Sequence, residues 1–140
     1  MEKSELSGLL YEFLDAIYLF QRKEEGLFGA SWQEIFLLKR LADGGSMSVG
    51  DAAGCLRLPL FGASRIVSRL DGLGLVAKAR SPGNRRVVRV GITASGRKLL
   101  KRVEDYQFKL INRNIGVLAP GEVDSISAGI RKLRALLSIE

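Results

Sequence analysis

The side chains able to do chemistry in this chain are mostly cationic, and they are clustered. Arg65 and Arg69 lie four apart with Ser64 and Ser68 beside them, and Asn84, Arg85 and Arg86 form a second group. A guanidinium presents its donors in a rigid fork that fits phosphate oxygens and the acceptor edge of a purine, and a neighbouring hydroxyl can bond phosphate or base. The chemistry is recognition of an anion rather than making or breaking bonds. The chain has no histidine and a single cysteine, Cys55, which removes the common catalytic triads and most metal sites. No enzyme activity, no metal and no cofactor is expected.

The distribution of charge agrees. The net charge is +7 and the pI about 9.9. Residues 1–30 carry a net −3, residues 31–80 a net +3, residues 81–102 seven bases and no acid, and the last 38 residues balance. The excess is concentrated around the second cluster, as an anionic partner requires. A chain of 140 residues with 46% hydrophobic and 26% charged residues suits one globular domain with a real core. A lone cysteine leaves no internal disulfide. Glu2, Glu5, Glu12 and Asp15 are incompatible with a signal peptide or membrane span, so a cytoplasmic protein without membrane contact is expected.

The elements that must position the two clusters are legible between Met47 and Ile92. Ser48, with Asp51 three residues on, opens a short helix over about 48–56. Arg57, Leu58 and Pro59 break it, because the residue before proline is pushed out of helical space while proline suits a first turn. A second helix follows from near Pro59, with Ala63, Ile66, Val67, Leu70 and Leu73 on one face and Phe61, Arg65, Ser68 and Arg69 on or near the other. Two helices so joined match a helix-turn-helix, and also any short helical corner. Gly74 ends the second helix, and Leu75 to Arg80 reads as a strand. Pro82, Gly83 and Asn84 supply turn chemistry, and Arg85 to Ile92 returns as a second strand with Val88, Val90 and Ile92 on one face. The arginines crowd the hairpin tip, which suits a DNA minor groove or is a solvated hairpin end.

The flanks are helical. From Leu6 to Phe20 apolar residues cover more than one stripe, which favours a subunit interface, and Glu24 to Ala30 reads as the closing loop. Ser31 to Glu34 is a capping box opening a helix with Ile35, Phe36, Leu38 and Leu41. Trp32 and Phe36, four apart, line a pocket or sit in the core. Thr93 caps a long helix from about Ala94 to beyond Ile115, and Pro120, Glu122 and Asp124 start a last one with Val123, Ile126, Ile130, Leu133, Leu136 and Leu137. Both ends offer apolar helices with no local core, and pairing with a second copy would bury them.

The stretches SRIVSRLDGLGLV (Ser64 to Val76) and NRRVVRVGIT (Asn84 to Thr93), with Gly96, resemble the MarR family of winged-helix transcription regulators, and the resemblance covers nearly the whole chain. It implies a mainly α (α+β) fold: a winged helix-turn-helix with a two-stranded wing, and terminal helices forming a dimerisation region. The organisation expected is a single domain over 1–140, with a DNA-binding core at 31–92 and dimerisation helices at 1–23 and 94–140. It also implies a homodimer on a palindromic double-stranded DNA operator, a repressor relieved by a small aromatic or anionic effector. Carried over by position, Ser64 and Arg65 match recognition-helix contacts and Arg85 and Arg86 match the wing. With their neighbours, the expected DNA-binding set is Phe61, Ser64, Arg65, Ser68, Arg69, Asn84, Arg85 and Arg86. The implied effector cleft lies between the first two helices and the long helix, with Ile17, Trp32 and Phe36 as walls. Asn84 stands where the family has a wing aspartate, Leu60 to Ala63 replace commonly polar residues, and Cys55 lies away from the oxidant-sensing position. The apolar start of that helix leaves a second reading open, a winged-helix protein-interaction module with weak or non-specific DNA binding.

Overall fold

Side-chain caps set the helix starts. Ser31 Oγ accepts from the Glu34 amide while the Glu34 carboxylate accepts from the Ser31 amide at 2.9 Å, which opens helix α2 (Trp32–Gly44). Ser48 Oγ accepts from the Asp51 amide at 3.0 Å and opens α3 (Val49–Leu56). Thr93 Oγ1 accepts from the Gly96 amide at 3.1 Å and opens α5 (Ala94–Asn114). Each cap satisfies an amide that the first turn of a helix leaves without an intrahelical partner. In this computed structural model, which describes residues 1–140, the other elements are α1 (Lys3–Phe28), β1 (Met47–Ser48), α4 (Leu60–Gly72), β2 (Val76–Ser81), β3 (Asn84–Ile92), a 3-10 turn (Ile115–Val117) and α6 (Glu122–Leu136).

The chain groups into two units, Met1–Val103 and Glu104–Glu140. In the first, Leu37, Leu38 and Leu41 of α2 meet Ala52 of α3, Val67 and Leu70 of α4, Val76 and Val90 of the sheet, and Leu99, Leu100 and Val103 of α5. Burying each large aliphatic side chain here contributes roughly 1.5–3 kcal/mol. The antiparallel sheet has the order β1-β3-β2. One close approach fixes where α5 leaves it. A Cβ on Gly96 would lie 2.2 Å from the Leu75 carbonyl oxygen and 2.7 Å from Ile92 Cγ1, so only glycine fits. The second unit holds the rest of α5, the 3-10 turn and α6, and α6 buries no side chain within it.

Several expectations are corrected. Helix α1 runs on through Glu24 to Phe28 in place of a loop and stops at Gly29, whose φ of 69° is the left-handed turn that ends a helix cheaply. Pro59 is the N-cap of α4, extended at ψ 154°, and Leu60 is the first helical residue. Leu73 falls at the C-cap and is 52% exposed, outside the packed face. The sheet gains a third strand, because Met47 and Ser48 pair with Val90 and Arg89. Two residues are too short for an alternating pattern to be read.

Candidate nucleic-acid interface

Helix α4 is divided lengthwise. Ala63, Val67 and Leu70 are buried and hold it to the core, while Phe61, Ser64, Arg65 and Ser68 stand exposed on the opposite side. The corner that aims it is tight. Arg57 adopts φ 53°, ψ 45°, a left-handed conformation unusual outside glycine and asparagine, and its amide bonds back to the last turn of α3. Gly62 and Ala63 amides both donate to the Pro59 carbonyl, at 3.0 and 3.1 Å.

Two links fix the rotation of α4. Arg69 forms an ion pair with Glu34, which is 5% exposed, and its other terminal nitrogen donates to the Gly29 carbonyl at 3.1 Å. The carboxylate that caps α2 is thus the one that holds α4. Arg69, expected among the DNA contacts, has its guanidinium engaged in this bracing. On the other flank Lys78 of β2 donates to Ser68 Oγ at 3.4 Å and lies 3.9 Å from Asp71. Sequence reading assigned no role to Lys78. Its placement opposite Ser68 depends on a strand meeting a helix ten residues earlier, and no local pattern encodes that.

The hairpin tip carries the second cluster. Ser81 pairs with Asn84 across Pro82 and Gly83, and the next pair is Arg80 with Val88, so Arg85, Arg86 and Val87 bulge out of the ladder. Asn84 Oδ1 accepts from the Arg86 amide at 3.0 Å, and Arg80 donates to the Arg85 carbonyl at 2.7 Å. A bulge bends its strand and re-aims the extra side chains, and here it exposes both arginines. Asn84 serves as a turn former in this arrangement. At the base of β3, Arg89 donates to the Ser46 carbonyl at 2.8 Å and holds the strand to the α2–β1 connection.

Helix α4 and the β2–β3 hairpin face one another across a cleft of about 430 Å³, lined by Ser48, Val49, Gly50, Leu60, Ser64, Arg86, Val87 and Val88. It therefore brings together Ser64 and Arg86, one from each cluster. Leu60, 61% exposed, belongs to it and was not among the expected site residues, although it stands at the same apolar helix start as Phe61. Arg65 lies on the other side of the helix and lines a second cleft, of about 480 Å³, with Gly62, Ile66, Arg69, Glu34 and Ser31.

The expected effector walls are less united. Trp32 is 49% exposed and stacks on Phe36 at 5.8 Å, and Arg40 lies 5.0 Å over the Phe36 ring. A small groove of about 260 Å³ between α1 and the start of α2 is lined by Trp32 with Tyr18, Gln21, Arg22, Glu25, Ser31 and Gln33. Neither Ile17, which is 41% exposed on α1, nor Phe36 lines it.

No family model and no curated protein matches the sequence. Solved structures do match, over nearly all of the chain. A MarR family protein from Bacillus stearothermophilus is 22% identical with a TM-score of 0.78, each chain being covered to 99%. Streptococcus pneumoniae FabT, solved in complex with DNA, is 17% identical with a TM-score of 0.78 and 98% of each chain covered. Bordetella bronchiseptica BpsR, whose DNA binding is regulated by 6-hydroxynicotinic acid, is 23% identical with a TM-score of 0.69, covering 92% of this chain and 98% of that one. The chain has the winged-helix fold of the MarR family regulators.

Proposed function

We propose that the protein is a sequence-specific double-stranded DNA-binding transcription regulator that acts as a homodimer in the cytoplasm and performs no catalysis. The observation that carries this reading is the cleft in which the exposed face of α4 and the arginine-bearing bulge of the wing meet, Ser64 opposite Arg86. Its chemical setting supports it: between residues 52 and 103 the chain has 12 lysines and arginines and one acid, Asp71. Arg65 would take a base edge or phosphate, Ser64 and Ser68 phosphate or base, and Arg85 and Arg86 the minor groove and backbone. Support for the homodimer comes from α1, whose 26 residues bury only Glu24 and leave Leu6, Leu9, Leu10, Phe13, Leu14 and Ile17 exposed. Apolar surface of that extent marks an interaction site. A twofold assembly would place two recognition helices in successive major grooves of a palindrome, about one helical turn apart. No helix is long and apolar enough to cross a membrane.

The experiment is selection of bound sequences from a random duplex pool, followed by affinity measurement at several salt concentrations. Each neutralised phosphate contributes about −0.9 to the slope of log affinity against log salt, so several contacts give a steep fall. A slope near zero would sink this function.

Repression relieved by a small aromatic or anionic ligand is the regulatory form we propose, with the groove beside Trp32 as its seat. Trp32 is the only tryptophan, so its fluorescence during titration with aromatic acids is a direct readout. No response, with DNA affinity unchanged, would remove this part. The exposure of Leu60 and Phe61 favours a second reading, a protein-interaction module. A gel shift on random duplex at two salt concentrations separates the two.

A further inference from the structure

Phe61 is 71% exposed in the first turn of the recognition helix. It has no share in holding α4, which Ala63, Val67 and Leu70 do, and its ring can neither donate nor accept a hydrogen bond. A partner with an apolar feature would gain by covering this ring, and the surroundings narrow what that partner is. No acid occurs from residue 52 to residue 70, and none lies in the first turn of α4. Arg65 follows Phe61 by four residues on the same exposed strip, and Leu60 turns into the cleft it shares with Arg86. The partner is therefore polyanionic and also apolar at points along its surface. The major groove of DNA is such a surface, because each thymine places a 5-methyl group there, whereas the deep, narrow major groove of RNA admits no side chain.

We propose that Phe61 is a specificity-determining residue of the interface beside Arg65 and reads thymine by its methyl group, while Arg65 reads a neighbouring guanine or phosphate. This rests on the DNA-binding function above and names what that site selects. Four residues of helix rise about 6 Å, close to two base-pair steps of about 3.4 Å, so the thymine lies within about two base pairs of the position read by Arg65. A methyl contact discriminates thymine from cytosine and from uracil. It selects a pyrimidine methyl and not a hydrogen-bonding pattern, so 5-methylcytosine is the one other base that satisfies it.

The test is a uracil scan. The full-length protein is given its best selected duplex, and each thymine is replaced in turn by deoxyuridine, which removes the methyl and leaves base pairing and the phosphates intact. Burying one such carbon contributes about fourfold in affinity. The expected result is a loss of about fourfold at one thymine per half-site, about sixteenfold when both are replaced, and a penalty that vanishes in Phe61→Ala. Arg65→Ala should keep the uracil penalty, which shows that a reduced penalty is not a general result of weakened binding. Thermal melting of Phe61→Ala checks that it is folded. A flat scan in a protein that still selects a sequence and binds it in a salt-dependent way would overturn the role of Phe61 and leave DNA binding standing. A uracil penalty that persists unchanged in Phe61→Ala would also overturn it. Absence of binding to any duplex at low salt would overturn the DNA-binding function itself.

Discussion

At the scale of single residues the informative positions are those whose neighbours lie far away in sequence. Gly96 faces a backbone oxygen that cannot step aside, so Gly96→Ala should lose about 1–3 kcal/mol by overpacking, measured as a shift in urea midpoint. Gly54, exposed inside α3 with nothing within 4 Å of an added Cβ, is the control: Gly54→Ala should gain up to about 1 kcal/mol. Equal effects at the two sites would refute the packing described for Gly96. Arg69→Ala leaves the Glu34 carboxylate, 5% exposed, with the Ser31 amide but without its cation, and should cost about 1–3 kcal/mol of stability. Glu34→Gln keeps an acceptor for the Ser31 amide and should cost less. If Arg69→Ala melts like the parent and loses only DNA affinity, its bracing role is wrong. The capping serines and Thr93 were legible because a cap and its amide lie within three residues. The pairing of Arg69 with Glu34 was not, since 35 residues separate them and an exposed-looking arginine beside Arg65 reads as one more anion contact.

Among elements, periodicity placed the helices and the two wing strands, and it failed where a segment was too short or its breakers were overruled. Gly26 and Gly29 together read as a loop, yet only Gly29 takes a positive φ, and the helix passes through Gly26 with Glu24 buried beneath it. The bulge at Arg85 to Val87 was equally invisible, because register is decided by a turn and its partner strand, not by composition. That bulge carries a prediction. Arg86→Ala should weaken binding to operator and scrambled duplex by similar factors and reduce the salt slope by about 1 for each phosphate that the arginine had neutralised. Arg65→Ala should instead narrow the gap between the two duplexes, because in the proposed function α4 carries the base contacts. Competition binding of both variants decides it, and an Arg65→Ala protein with its full preference intact would move base reading elsewhere on α4.

For the whole molecule the governing quantity is apolar surface without cover. Leu9, Leu10, Phe13 and Leu14 are each between 38% and 53% exposed on α1, and Ile126 and Ile130 are 48% and 61% exposed on α6. A dimer is the expected state in sedimentation equilibrium. Removal of residues 1–20 should give aggregation or failure to fold, and a soluble, well-folded monomer from that truncation would show that the interface lies elsewhere. The lengthwise division of α4 has a different consequence, for how a DNA-binding protein of the proposed kind changes its target. Ala63, Val67 and Leu70 carry its attachment and Arg69 its orientation, whereas residues 60, 61, 64 and 65 bear little of the fold. Exposed positions of that kind typically tolerate exchange within about 0.5 kcal/mol. In the proposed function, the address the helix reads can therefore be rewritten one letter at a time on a chassis that does not register the edit.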